Sequence, residues 1–307
     1  MKNIVKSLIT FNKIKFDKKS QLNIKITSKE EVVISSYNYN NCELISSKGG
    51  IKIFIDSLRK FNKNCTVIVL CSIKNKSIML ENYLKENNSN ILYYNFIEIH
   101  HDDRFFIIQK FLKKNVFSRI LIADMNDIIF QSNPFEIISN NKLYCSLENN
   151  ILSDPGGGSC NLRWLIRLEY ILEHKSFLSK KTVTKNLYKK YKDKNVICCG
   201  TIISEYNTIM EYLNYYMSIN KKGNLHRIPR VVGQGIYIDY CYKNTDKCII
   251  KNQEFGKILT LDNVNFNKIS RDNNGYLINS NSEKYCIIHQ IDRCGQKNLE
   301  YLKNIIL

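Results

Sequence analysis

Two aspartates, Asp124 and Asp127, follow a short apolar run at residues 120–123. If that run is a buried strand of an α/β sheet, both carboxylates lie at its carboxyl end, where such sheets bind ligands. Carboxylate oxygens hold Mg²⁺ or Mn²⁺ and leave coordination places open for a diphosphate. The alternative is that the aspartates only cap a turn or a short helix. This spacing is common, and taken alone the pair favours the capping alternative.

Hydrophobic periodicity predicts the elements that must position these carboxylates. Apolar runs predict strands, and apolar residues recurring every three or four positions predict helices. In the first half of the chain, strands are predicted at residues 31–36, 66–70, 91–99 and 120–123, and helices at residues 51–61, 79–86 and 104–113. In the second half, helices are predicted at residues 162–172 and 208–217, and strands at residues 195–204 and 284–289. This alternation predicts an α/β fold with a mostly parallel, doubly wound sheet.

The length and composition favour one large globular domain. The chain has 307 residues, of which 44% are hydrophobic and 24% are charged, and such a chain can bury a sizeable core. Residues 1–30 are lysine-rich and weakly patterned. We therefore expect a basic N-terminal extension over residues 1–30 and a single domain over residues 31–307.

The net charge of +18 is compatible with nucleic acid, an anionic membrane or a phosphorylated ligand as partner. The lysines are scattered among asparagines and isoleucines, a composition typical of AT-rich genomes. The sequence contains no basic and aromatic motif of the common RNA- or DNA-binding modules. We therefore expect no stable nucleic-acid partner, and a basic nucleic-acid-binding protein stays an alternative.

The cysteines and the apolar runs bear on localisation. Eleven cysteines are irregularly placed, without a CxxC pair that would indicate a zinc site. Several lie in apolar runs, where a free thiol behaves as a small hydrophobic group. Lysines interrupt the first residues too early for a signal peptide, and no run approaches the roughly 18 apolar residues of a membrane-spanning helix. We expect a soluble, cytoplasmic protein with reduced thiols and no transmembrane segment.

The residues on both sides of the aspartate pair distinguish it from other pairs of aspartates with this common spacing. The segment at residues 119–135, RILIADMNDIIFQSNPF, resembles the metal-site segment of a glycosyltransferase family with the GT-A fold. That family has an apolar strand, then Asp-Val-Arg-Asp, two aliphatic residues, Phe-Gln and Asp-Pro-Phe. Asn126 stands where the family often has arginine. Compared with the commoner Asp-x-Asp motif, Asp127 matches the second aspartate and Met125 falls on the first, so the resemblance implies metal ligation by Asp127 more than by Asp124.

Further segments are similar to the same family in the same order along the chain. They are residues 34–39, 55–60, 104–112, 161–164, 199–201 and 287–293, together with Gln234. The resemblance implies a GT-A, Rossmann-like fold. It implies contacts with the nucleotide and its phosphates by Tyr37, Asn38, Arg104, Asn126 and Arg293. It implies acceptor or sugar contacts by Asn161, Trp164, Gly200 and Gln234, although Trp164 is at least as well explained by core packing.

His289 ends the apolar run at residues 284–289. A lone histidine at a strand end usually makes only a backbone hydrogen bond. GT-A enzymes, however, often take a third metal ligand from this part of the chain, and neutral imidazole suits Mn²⁺ beside two carboxylates. The resemblance therefore implies His289 as a ligand. Arg293, a few residues later, would order the loop or contact phosphate, or form a surface ion pair.

A catalytic base is the least determined part of the prediction. A glycosyltransferase that inverts the sugar's configuration needs a carboxylate near the acceptor hydroxyl. Glu148 and Asp154 precede the predicted helix at residues 162–172, and either could serve. The sequence does not choose between them, and solvated loop carboxylates are the plain alternative.

Together these patterns predict a metal-dependent glycosyltransferase. The donor would be a UDP- or GDP-linked sugar, the cofactor Mn²⁺ or Mg²⁺, and the acceptor a hydroxyl of a glycan, protein or lipid. A GT-A fold that binds sugars without turnover is the second alternative, because the first aspartate of Asp-x-Asp is missing.

Overall fold

Four parallel strands form one half of the central sheet. The computed structural model describes residues 15–22, 24–26, 29–37, 50–95, 104–137, 139–154, 157–174, 186–222 and 232–307. Within it, β1 (Glu31–Tyr37), β2 (Thr66–Ser72), β3 (Asn90–Tyr94) and β4 (Arg119–Asp124) lie in the order β3-β2-β1-β4. All seven residues of β2 are buried, because helices or loops cover both faces of such a sheet.

The other half of the sheet is mixed in direction. β8 (Thr201–Glu205) runs antiparallel to β4, and β6 (Leu143–Ile151) runs antiparallel to β8. β7 (Asn195–Ile197) also pairs with β6 in antiparallel fashion, while β9 (Cys248–Asn252) is parallel to β6. The α/β class and a sheet with flanking helices are confirmed, and the reversed strands make the sheet mixed.

Helices flank the sheets of the molecule. They are α1 (Lys18–Leu22), α2 (Ile51–Phe61), α3 (Ile78–Glu86), α4 (Arg104–Leu112), α5 (Gly157–His174), α6 (Asn186–Tyr191), α7 (Tyr206–Lys222), α8 (Val232–Lys243) and α9 (Gln296–Ile306). Side chains of β1 alternate between the faces, so Val32 and Ile34 join one core cluster and Val33 joins the other. No helix in the described parts of the chain is both long and apolar enough to cross a membrane.

A second, three-stranded sheet lies beside the end of β4. β11 (Ile287–His289) is its middle strand, parallel to β10 (Ile258–Thr260) and antiparallel to β5 (Ile128–Phe130). In the register of β5 and β11, His289 stands opposite Ile128, the residue that follows Asp127. This pairing brings the C-terminal part of the chain to the carboxyl end of β4.

Several predicted elements match the structure and others do not. The predicted helix at residues 51–61 is α2 itself, where Phe54, Ile55 and Leu58 form the buried stripe. The predicted strand at residues 195–204 is wrong as a continuous element, because residues 198–200 interrupt it between β7 and β8. Within residues 1–30, Phe16 forms a bridge with Tyr94 of β3, so this part of the predicted extension lies against the sheet.

Candidate metal centre

Asp124 is the last residue of β4, and Asp127 is the last residue of the short connection to β5. Two neighbours fix that connection. Met125 is 2% exposed and packs in the core, and the carbonyl oxygen of Asn126 accepts a hydrogen bond of 2.9 Å from the backbone nitrogen of Gly50. The loop that carries both carboxylates is therefore anchored to the sheet and to the start of α2.

The structure brings His289 to these two carboxylates. Its Nε2 lies 3.7 Å from Oδ2 of Asp124 and 3.5 Å from Oδ2 of Asp127. Ligand atoms of the three residues all lie within 4.8 Å of one another, and the histidine is 2% exposed. We call Asp124, Asp127 and His289 the triad.

Two atoms of the triad are buried without a hydrogen-bond partner among the described residues. They are Oδ1 of Asp127 and Nε2 of His289. Buried polar atoms are normally hydrogen-bonded, so each such exception needs an explanation. The contacts of His289 Nε2 with Oδ2 of Asp124 and Oδ2 of Asp127 are longer than typical hydrogen bonds, so they do not satisfy this nitrogen. Two carboxylates and an imidazole are a donor set that suits Mn²⁺, and the three residues fit such an ion.

The charge around His289 also favours a cation. Burial by itself lowers the pKa of His289, but Cys198 and the two aspartates beside the ring outweigh burial and raise this pKa well above its usual value. Burial raises the pKa of the Cys198 thiol, so the negative charge beside the ring is that of the carboxylates. A field that attracts a proton to this ring attracts a divalent cation as well.

Arg104 adds a fixed positive charge next to the triad. It is the first residue of α4, it is 3% exposed, and its guanidinium pairs with Oδ1 of Asp124. Its Nη2 also donates a 3.2 Å hydrogen bond to the carbonyl oxygen of Cys199. Arg104 thus lies beside the candidate metal ligands, and its predicted contact with the phosphates stays a prediction.

The interruption between β7 and β8 packs directly against the triad. A Cβ atom at Gly200 would lie 2.4 Å from Cε1 of His289 and 2.8 Å from Oδ2 of Asp124, so only glycine fits here. The carbonyl oxygen of Gly200 also accepts a 2.8 Å hydrogen bond from the backbone nitrogen of Asp124. Gly200, predicted as an acceptor-side residue, lies beside the candidate ligands.

Gln234 of α8 forms hydrogen bonds that hold the interruption between β7 and β8 in place. Its side-chain amide donates to the carbonyl oxygen of Ile197, and its Oε1 accepts a 3.0 Å hydrogen bond from the backbone nitrogen of Cys199. The side chain is 6% exposed. These contacts make Gln234 a residue that positions residues 197–200, and its predicted contact with acceptor or sugar stays a prediction.

Cys198 connects the triad to Glu148. Its Sγ lies 3.4 Å from Nδ1 of His289, and Cys198 is also close enough to Glu148 to lower the pKa of that carboxyl. Glu148 is 5% exposed and lies within β6, so its predicted position in a loop is wrong. Burial raises the pKa of Glu148, while the nearby His289 charge lowers it and the raising effect wins. No sequence pattern indicated Cys198, because its partners come from other strands.

The remaining predicted residues lie in varied surroundings. Asp154 closes the turn after β6 by accepting a 2.8 Å hydrogen bond from the backbone nitrogen of Ile151. Tyr37 is 1% exposed and belongs to a core cluster. Arg293 forms a 2.9 Å ion pair with Asp262. Asn38 lies outside the described residues.

Asn161 and Trp164 both lie on α5. Asn161 is buried and Trp164 is half-buried. Helix α8 approaches α5 closely at this point, since a Cβ atom at Gly235 would lie 2.8 Å from the carbonyl oxygen of Trp164. The structure therefore places the tryptophan backbone in a helix–helix contact, and a role of its ring in sugar binding stays a prediction.

Compared with known proteins, the chain matches no protein-family model and no curated protein.

Proposed function

We propose that this chain is a metal-dependent glycosyltransferase with the GT-A fold. It would transfer a sugar from a UDP- or GDP-linked donor to a hydroxyl of a glycan, protein or lipid. The observation that carries the proposal is the triad, with its buried, unpartnered Asp127 Oδ1 and His289 Nε2 at the end of β4. The resemblance of residues 119–135 and 287–293 to the family motifs supports the same conclusion independently of the geometry.

The position of the triad in the sheet supports a nucleotide ligand. The chain passes from β1 outward to β2 and β3, and then returns to place β4 on the other side of β1. Open α/β sheets bind ligands at such a switch point, outside the carboxyl ends of the two central strands. Asp124 ends β4 and pairs in register with Ser36 near the end of β1, so the triad stands at that crevice.

The residues of the site have distinct tasks in sugar transfer. When bound, Mn²⁺ or Mg²⁺ acts as a Lewis acid that neutralises the charge developing on the leaving nucleoside diphosphate. Asp127 and His289 would hold the ion, with Asp124 as a further ligand. Arg104 holds a buried positive charge beside them, where it would attract the diphosphate and stabilise it electrostatically.

Glu148 is the better of the two candidate bases. It is buried, and it lies close enough to His289 and Cys198 for both residues to affect its pKa. Burial raises its pKa above that of an ordinary carboxyl, which makes it a stronger base toward an acceptor hydroxyl. Asp154 instead closes a turn.

A donor screen tests the proposal. The protein is incubated with a panel of UDP- and GDP-sugars and Mn²⁺, and release of the nucleoside diphosphate is followed. We expect release with at least one donor, and loss of release in Asp127→Ala and in His289→Ala. Asp193→Ala is the matched control, because this carboxylate is 76% exposed and should tolerate the change.

The possible outcomes separate the alternatives. Release that survives both triad substitutions would contradict the metal assignment. Sugar-nucleotide binding without release for every donor would favour a sugar-binding protein without turnover. Salt-sensitive binding to RNA or DNA in the absence of donor binding would favour the nucleic-acid alternative.

A further inference from the structure

Three buried cysteines meet in the part of the central sheet that is distant from β4. Cys145 comes from β6, Cys241 from α8, and Cys248 is the first residue of β9. Their sulfur atoms lie within 4.8 Å of one another, and those of Cys145 and Cys241 are 3.5 Å apart. Three separate elements therefore converge on one point with their thiols.

The spacing of the sulfur atoms fits one metal ion. With a metal–thiolate bond of about 2.3 Å, three sulfurs in a plane around an ion lie about 4 Å apart. The observed separations, from 3.5 Å to at most 4.8 Å, bracket that value. Small movements of the side chains would bring all three sulfurs into contact with the same ion.

The chemistry of the cluster suits a soft cation. All three cysteines are buried, and Cys145 and Cys241 have no exposed surface. Cysteine binds a metal as the thiolate, so a thiophilic ion that enters the cluster would displace thiol protons to solvent.

The identity of the donors favours Cu(I) over zinc. The cluster offers three sulfurs and, among the described residues, includes no histidine or carboxylate. Soft thiolate donors select Cu(I) and zinc alike, but structural zinc is almost always bound by four ligands, so the three sulfurs of this cluster favour Cu(I). The hydroxyl of Tyr237 lies 3.4 Å from Cys145 Sγ and already contacts that sulfur.

We propose that Cys145, Cys241 and Cys248 form a Cu(I) site that is separate from the triad. Binding involves no change of oxidation state: Cu(I) forms bonds to the three sulfurs and replaces their protons, which pass to solvent. Cys248 is 6% exposed, whereas Cys145 and Cys241 have no exposed surface, so the ion would enter past Cys248.

The test uses the full chain, reduced and kept without oxygen, in the His289→Ala background so that the triad does not contribute. Cu(I) is titrated against the chelator bicinchoninate, with ultraviolet thiolate-to-copper absorption as a second signal. We expect one tightly bound Cu(I), and affinity reduced at least about tenfold in Cys248→Ser and in Cys145→Ala. Cys71→Ala is the matched control, since Cys71 is equally buried, lies on β2 and directs its thiol at backbone carbonyls.

Thermal unfolding checks that each variant is folded. If Cys145→Ala does not fold, Cys248→Ser still tests the site, because Cys248 is the most exposed of the three cysteines. If the protein with all three cysteines bound Cu(I) no more tightly than the Cys248→Ser variant does, the proposal would be overturned. Zinc bound in preference to Cu(I) would overturn the choice of ion. Both results are independent of donor hydrolysis, so they are distinguishable from failure of the proposed glycosyltransferase activity.

Discussion

Gly200→Ala tests the geometry of the triad most directly. The added Cβ atom would lie 2.4 Å from Cε1 and 2.5 Å from Nε2 of His289, whereas carbon atoms in contact lie about 3.5–4.0 Å apart. The ring must therefore move by about 1 Å. His289 is buried and is held between Cys198 and the two carboxylates, so the movement displaces its metal-binding nitrogen.

The expected size of the effect follows from the strain. Overpacking of a tightly packed site costs about 1–3 kcal/mol. If the ring moves aside in the free protein, that cost reappears when the ion draws it back. The Mn²⁺ affinity should then fall by about 5- to 150-fold, measured by calorimetric titration, with thermal unfolding as the control for folding.

A double substitution separates this cause from general damage. In the His289→Ala background, most of the loss caused by Gly200→Ala should disappear, because the clashing ring is gone. The contact with Asp124 Oδ2, at 2.8 Å, leaves a smaller remainder. Unchanged affinity in Gly200→Ala, or the same loss with and without His289, would refute the close packing of Gly200 on the histidine ring.

Three other substitutions test the surroundings of the triad. Cys198→Ala removes the partner of His289 Nδ1 and should lower Mn²⁺ affinity about tenfold, whereas Cys198→Ser should restore part of that affinity. Equal Mn²⁺ affinities of the two variants would contradict this role of Cys198. Gln234→Leu leaves two buried backbone groups unsatisfied and should lower the free energy of unfolding in urea by about 2–4 kcal/mol; a change below about 0.5 kcal/mol would contradict the bracing role. Burial raises the folded-state pKa of Glu148, so its contribution to stability is present at low pH and is lost as pH rises through that pKa. Glu148→Gln should therefore stabilise the ion-free protein increasingly above about pH 4.3; a pH-independent difference would argue against a buried ionisable Glu148.

Local patterns predicted the elements whose apolar residues form a continuous run or a regular stripe, and missed those whose apolar residues form neither. Helix α2 was predicted because its apolar residues form a single stripe. Helix α8 was missed because it is buried on all sides, so its apolar residues show no helical period. Strand β6 was missed because buried Ser146, Glu148 and Asn150 interrupt its apolar run. Tertiary contacts, not local preference, hold these polar groups inside.

In the candidate site, too, local sequence patterns predicted some residues, whereas others depend on tertiary contacts. Asp124 and Asp127 were predicted beside the end of a strand because the apolar run before them is local and continuous. The resemblance to the family singled out His289 and Arg104, but no sequence pattern gave their distances. Cys198 and the role of Gln234 behind residues 197–200 were not predicted, because both depend on contacts between strands and helices far apart in the chain.

Two carboxylates after a buried strand, alternating helices and strands in the first half, and a large positive charge can all be read from the amino-acid order. The mixed sheet and the pairing of β11 with β5, which brings His289 to Asp127, emerge only in the folded chain. So does the pocket that three dispersed cysteines share. Hydrophobic periodicity is a property of neighbouring residues, and it therefore survives in the sequence. Strand register and helix packing instead depend on how the whole core fills space.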